Sequence, residues 1–157
     1  MKGAATMGGR GGSSNGASKQ YAAAYATPKA LAPPKLIGSE KQIKWANDII
    51  SSPYKIYDNT SKAALEQAKD WKRKGISKIL DPDHLRRAEV YAAARDLYAE
   101  AVAKLREANP DGLKAGWVID NRFRFKAVAR EAFEAEFQKR KKARSDWANE
   151  WLGGYSY

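Results

Sequence analysis

Cysteine is absent from this chain of 157 residues, and histidine occurs once. The lack of cysteine excludes disulfide bonds, thiolate metal sites and cysteine nucleophiles, so the fold must depend on packing. His84 follows Asp81 and Asp83 at a predicted helix start, which favours local pairing near a helix cap over a catalytic or metal-binding role. The sequence shows neither a phosphate-binding glycine loop nor metal-ligand spacing of His or carboxylate residues. We therefore expect a non-enzymatic protein that uses no cofactor and no metal.

Long apolar runs are also missing. No stretch approaches the roughly 18 to 20 apolar residues that a membrane-spanning helix requires. A secretory signal needs a continuous apolar region, and the alanines near residues 22–26 are too weakly apolar and too interrupted to supply one. The sequence thus predicts a cytoplasmic protein without a membrane partner.

Acidic residues are scarce at both ends of the chain. The whole sequence has 29 Lys and Arg against 18 Asp and Glu, a net charge of +11. Residues 1–36 carry five positive charges and no negative one, and residues 122–157 carry nine positive and five negative charges. Such a distribution attracts polyanions, with nucleic acid as the first expectation and an acidic protein as another; the alternative is that the charge serves solubility alone.

Three segments are predicted from composition. Residues 1–36 are rich in Gly, Ala, Ser and Pro and bury too little apolar surface to offset the entropy of ordering, so we expect a flexible leader. Residues 37–152 should form one helical domain, and residues 153–157 a frayed end. The sequence therefore predicts an all-α fold, a small bundle of four or five helices with a long C-terminal helix.

Local signals place the helix boundaries. Ser39 and Gln42 form a capping box that starts a helix over 40–51, which Pro53 is expected to stop, and a second helix over 61–74 should follow. Asp81 and Pro82 are a strong helix start, and the third helix should run to residue 108. Residues 113–119 could be a strand or a short helix, and helix is favoured because no other segment reads as a strand partner.

The C-terminal helix, predicted over 122–151, changes character along its length. Phe125, Ala129, Phe133 and Phe137 recur every four residues, the spacing of a core-facing stripe. Beyond Phe137 the stripe gives way to a basic block and then to tryptophans, so this part should project from the body. The predicted nucleic-acid or partner-binding residues are the cations and tryptophans of this helix: Arg122, Arg124, Lys126, Arg130, Lys139, Arg140, Lys141, Lys142, Arg144, Trp147 and Trp151.

Two short stretches resemble a known pattern. Gly38 to Ile49 and Trp117 to Arg122 resemble the GS-x-KQ-x-x-WA-x-x-I and W-x-IDNR segments of short, largely uncharacterised bacterial proteins, many of them carried by phages and mobile elements. The likeness covers under a fifth of the chain. It implies a phage or mobile-element origin and no particular chemistry.

Three functions remain open at this point. The first is non-specific binding of DNA or RNA, or of a nucleoprotein complex, through the C-terminal helix. The second is a protein-interaction module or inhibitor that binds a host or defence protein through Trp and Arg side chains. The third is assembly, in which copies of the chain form an oligomer through their C-terminal helices.

Overall fold

The computed structural model describes residues 21–76 and 80–151, and the surroundings of side chains as far as residue 141. In this part of the chain, five helices and one pair of very short strands form the fold. The all-α prediction, with its long C-terminal helix, is confirmed. The elements in chain order are α1 (Ala22–Tyr25), β1 (Leu36–Ile37), α2 (Glu40–Arg73), α3 (Pro82–Ala108), β2 (Leu113–Lys114), α4 (Ala115–Asp120) and α5 (Arg122–Trp151).

α2 begins where the sequence predicts and continues far beyond the predicted end. The Ser39 hydroxyl accepts from the backbone N–H of Gln42, whose side chain accepts from Ser39 N–H in return. The predicted stop at Pro53 is wrong, because Pro53 is buried inside one helix of 34 residues. Proline removes the ladder hydrogen bond to the Ile49 carbonyl. At the next residue the buried Tyr98 hydroxyl donates to the Ile50 carbonyl at 2.5 Å and ties this turn to α3. Tertiary packing thus overrides the local preference.

α3 is the central helix and packs against α1, α2 and α5. Asp81 caps it by accepting from the Asp83 N–H at 3.0 Å, and its bounds match the prediction. Small residues cover its buried surface and allow close approach of the neighbouring helices. They include Ala88, Ala92, Ala94 and Ala99. Because it is surrounded, α3 buries more than the single face that its sequence pattern indicates.

The connection after α3 contains a strand that the helix prediction missed. Leu113–Lys114 pairs in parallel with Leu36–Ile37, and only the following residues, Ala115–Asp120, are helical. Gly112 precedes β2 with a φ of +113°, and an added Cβ would lie 2.9 Å from Ile37 Cδ1. Side chains rarely adopt that backbone conformation, so glycine is required at this turn.

The predicted flexible leader is only partly tested. Residues 1–20 lie outside the described part of the chain, as do residues 152–157. Residues 21–35, which we call the N-terminal strap, instead pack on the body. The Ala24 N–H donates to Glu89 at 2.9 Å and the Lys29 N–H to Asp96 at 3.1 Å, while Lys29 Nζ pairs with Glu100 at 2.7 Å. Composition could not predict this, because the partners are acids on one face of α3.

Candidate nucleic-acid interface

The buried face of α5 differs from the predicted stripe. Phe125, Ala129, Ala132 and Glu136 are buried, whereas Phe133 is half-buried and Phe137 is 42% exposed. A helix turns about 100° per residue, so a strict spacing of four rotates about 40° away from the core at each step. The observed spacings of four, three and four compensate for this rotation. The predicted stripe is therefore correct for Phe125 and Ala129 and wrong for Phe133 and Phe137.

Arg140 is the clearest correction among the predicted binding residues. Its Nη2 lies 2.8 Å from Glu89 Oε1, its Nη1 contacts Glu136, and its side chain is only 17% exposed. The acids of the same molecule thus neutralise this cation. The expectation that the helix leaves the body beyond Phe137 fails at this position, because Glu89 of α3 holds it. Arg140 is a structural residue.

The structure describes the side chains of only some of the other predicted binding residues at this end of α5. Lys139 and Lys141 are exposed, as predicted. Lys142, Arg144, Trp147 and Trp151 lie in the helical part of α5 whose side chains are outside the described residues. Their predicted role in binding stays a prediction.

The beginning of α5 carries a cluster of exposed positive charges. Arg122, Arg124, Lys126 and Arg130 are all exposed, and residues 122–130 contain no Asp or Glu. The first turn of a helix favours negative charge, because the backbone N–H groups there are unpaired and the helix dipole is positive. The dipole of α5 therefore does not explain two arginines in this turn, and the exposed cations favour an anionic partner.

Phe123 is a surface residue that the sequence reasoning missed. Its side chain is 64% exposed, with Arg122 Cζ at 4.9 Å from the ring centroid and Lys126 Nζ at 5.6 Å. A large aromatic ring thus lies open to solvent between two cations. The signal was available, since Phe123 is two residues from Phe125 and must point away from the core face on a helix.

The turn between α4 and α5 fixes this surface in place. Arg122 Nη1 donates to the Ile119 carbonyl at 2.9 Å, and Asn121 Nδ2 donates to the Trp117 carbonyl at 2.8 Å. Arg124 Cζ lies 5.9 Å from the Trp117 ring, and Trp117 meets the buried Phe125 edge to face at 6.5 Å. These contacts close the end of α4. They also mean that Arg122 has a structural role besides any contact with a ligand.

His84 lies where local pairing was predicted. Its Nδ1 contacts Asp81 Oδ2, and its ring lies 6.3 Å from Trp71. Burial alone would raise the pKa of the Asp81 carboxyl, but the hydrogen bonds from His84 and from the Asp83 N–H outweigh burial and lower it. Within the described residues, no group of three or more metal-ligating side chains comes together, and no helix combines the length and apolar character for crossing a membrane.

Comparison with known proteins adds no assignment to this geometry. The resemblance of Gly38 to Ile49 and of Trp117 to Arg122 to phage-borne proteins stays a prediction. No family model, curated protein or solved structure matches the chain significantly.

Proposed function

We propose that this protein binds single-stranded nucleic acid, without catalysis, through residues 122–130 at the start of α5. The observation that carries the proposal is the Phe123 ring, 64% exposed between Arg122 and Lys126. Proteins that bind single strands combine aromatic rings, on which unpaired bases stack, with cations that contact the phosphates. Residues 122–130 supply both.

Binding at this surface should show little preference for particular bases. Stacking tolerates every base because each has a π-face, and arginine or lysine contacts to phosphates carry no base information. Four phosphate contacts, from Arg122, Arg124, Lys126 and Arg130, correspond to a salt slope of about −3 for a single strand. Affinity should thus fall about 50-fold between about 50 and 200 mM salt.

The test is a fluorescence-anisotropy titration of labelled DNA and RNA strands of mixed sequence, and of a matched duplex. We expect single strands to bind more tightly than the duplex. Phe123→Ala should weaken strand binding about 5- to 150-fold, since stacking contributes about 1–3 kcal/mol per base. Phe123→Trp should retain binding, while Phe123→Leu, which is apolar but cannot stack, should not.

Charge controls separate this surface from the general positive charge of the protein. Arg124→Glu with Lys126→Glu should abolish binding at physiological salt. Lys72→Glu with Lys104→Glu makes the same change in net charge at exposed positions of α2 and α3 and should have a much smaller effect. Equal losses in the two double variants, or full binding by Phe123→Leu, would overturn the proposal.

A further inference from the structure

A groove between α3 and α5 has an aromatic floor. Its volume is about 460 Å³, within the size range of small-ligand sites and far too small for a helix. Tyr91, Phe133 and Phe137 line it. The ring centroids of Tyr91 and Phe133 are 5.1 Å apart, and those of Phe133 and Phe137 are 5.9 Å apart with only 17° between their planes. The Tyr91 ring is tilted by 41° from that of Phe133, so the groove offers one planar group an apolar wall of neighbouring rings rather than a single plane.

The rim of the groove is positively charged. Arg86 pairs with Asp83 at 2.9 Å, and Arg140 is held by Glu89 and Glu136. Arg87 lies over the Tyr91 ring at 5.9 Å, and Lys141 is exposed. Among residues 21–76 and 80–141, neither Arg87 nor Lys141 has a carboxylate within ion-pair distance. These two cations complement a ligand that carries negative charge beside its planar group.

The groove and Phe123 lie on the same side of α5. Phe123 and Phe137 are 14 residues apart in the sequence, which is about 21 Å along a helix and only about 40° short of four full turns. Lys126 and Arg130 lie between them on this side. At about 3.4 Å per nucleotide, a stacked strand would need about six nucleotides to reach from one aromatic site to the other.

We propose that the groove is a second base-binding site, which takes one unpaired base of the strand whose other part stacks on Phe123. This inference rests on the function proposed above. The base lies on Tyr91, Phe133 and Phe137, and its flanking phosphates contact Arg87 and Lys141. Because a paired base cannot enter the groove, the second site also explains why single strands should be preferred over duplexes.

The first test varies strand length. For the unchanged protein, affinity should rise sharply, by about tenfold or more, as an oligothymidine is lengthened from four to ten nucleotides. Phe137→Ala and Arg87→Gln should remove most of this gain, whereas Phe137→Trp should keep it. Lys104→Gln, which removes an exposed cation elsewhere on α3, should keep it as well. A length gain that survives both Phe137→Ala and Arg87→Gln would overturn the inference.

The second test observes the two sites separately. The chain contains four phenylalanines, so labelling with 4-fluorophenylalanine gives four ¹⁹F resonances that single substitutions assign. A ten-nucleotide strand should shift the Phe123 and Phe137 signals and leave that of buried Phe125 nearly unchanged. A shift of Phe123 alone would overturn the groove site and leave the proposed function intact, and no shift at either would overturn both.

An acidic partner protein is the competing occupant of the groove. A short peptide of alternating Glu and Phe, added in the same ¹⁹F experiment, tests it directly. We expect the peptide to shift Phe137 only at concentrations well above those at which the strand does. The opposite order would show that the groove takes a protein segment and would overturn the inference.

Discussion

The part of α5 whose side chains are described, residues 122–141, divides into two halves that contain similar residues in different surroundings. Residues 122–130 and residues 131–141 both combine phenylalanine with arginine and lysine. In the first half every cation is exposed and no Asp or Glu occurs, whereas in the second half Glu89 and Glu136 hold Arg140 against the body. The number of cations in a segment therefore does not determine the electrostatic potential at its surface. Tertiary contacts decide which cations are available.

The strongest test of this comparison removes the cation of the second half. Arg140→Met leaves Glu89 and Glu136 without their shared partner in a largely buried position. Stranding a buried charge in this way destabilises by about 3–5 kcal/mol, and we expect the lower figure because Arg140 is 17% exposed. Urea unfolding measures the change. Lys139→Ala, at the exposed neighbouring position, should cost less than about 0.5 kcal/mol. Equal losses for the two variants would show that the second half of α5 is not held as described.

Acid should lower the stability of the body of the protein, because paired carboxylates contribute to it. Burial by itself would raise the pKa of the Asp58 carboxyl, but hydrogen bonds from Lys62 and Arg95 outweigh burial, so its pKa lies below the ordinary value; the pKa of Asp81 is lowered too. A lowered folded-state pKa contributes stability that is present above the unfolded value of about 3.9 and is lost as pH falls through the folded value. The urea midpoint should therefore respond little to these groups above about pH 5 and fall below about pH 4. Asp58→Asn should flatten that fall, and an unchanged profile in this variant would contradict the assignment.

A smaller effect is expected at the bond that anchors the first half. The Tyr57 hydroxyl donates to the Ala129 carbonyl at 2.8 Å, and its ring contacts Tyr91 and Phe133. Tyr57→Phe keeps the ring contacts and removes the donor, so it should cost about 1 kcal/mol. Thermal unfolding and urea unfolding should agree on this value. A cost near zero would show that the bond contributes nothing to holding α5.

The smallest expected effect is an increase in stability. Arg124→Glu places a negative charge in the first turn of α5 and should raise the free energy of unfolding by about 0.3–1 kcal/mol at low salt. The same change should weaken strand binding. A variant that is more stable yet binds less would show that Arg124 is present for the partner rather than for the helix. Loss of stability would instead indicate that its contact with Trp117 matters more than the dipole.

The features that the sequence predicted correctly depend on near neighbours. The capping box at Ser39 and Gln42, the start of α3 at Asp81 and the start of α5 at Arg122 all follow from residues within a few positions of one another. The errors involve distant partners. Tyr98, 48 residues from Ile50, supports the helix around Pro53, and Glu89, 51 residues from Arg140, removes that arginine from the surface.

The candidate site shows the same division. Exposure of Arg122, Arg124, Lys126 and Arg130 could be predicted, because they lie off the apolar face of one helix. The groove could not, since it requires the aromatic side chain of Tyr91 on α3 to meet those of α5. Phe123 is an intermediate case. Helical geometry alone predicts that its side chain is exposed, but only the cations beside the ring in the structure indicate a binding surface.

Glu89 joins elements from opposite ends of the described chain. One of its carboxylate oxygens accepts from Ala24 of the N-terminal strap and the other binds Arg140 of α5. Breaking either attachment leaves the shared acid with half of its partners, so local opening of one should promote opening of the other. Amide hydrogen exchange should therefore report similar protection for Ala24 and for the α5 backbone near Arg140, with both losing protection together in Glu89→Gln.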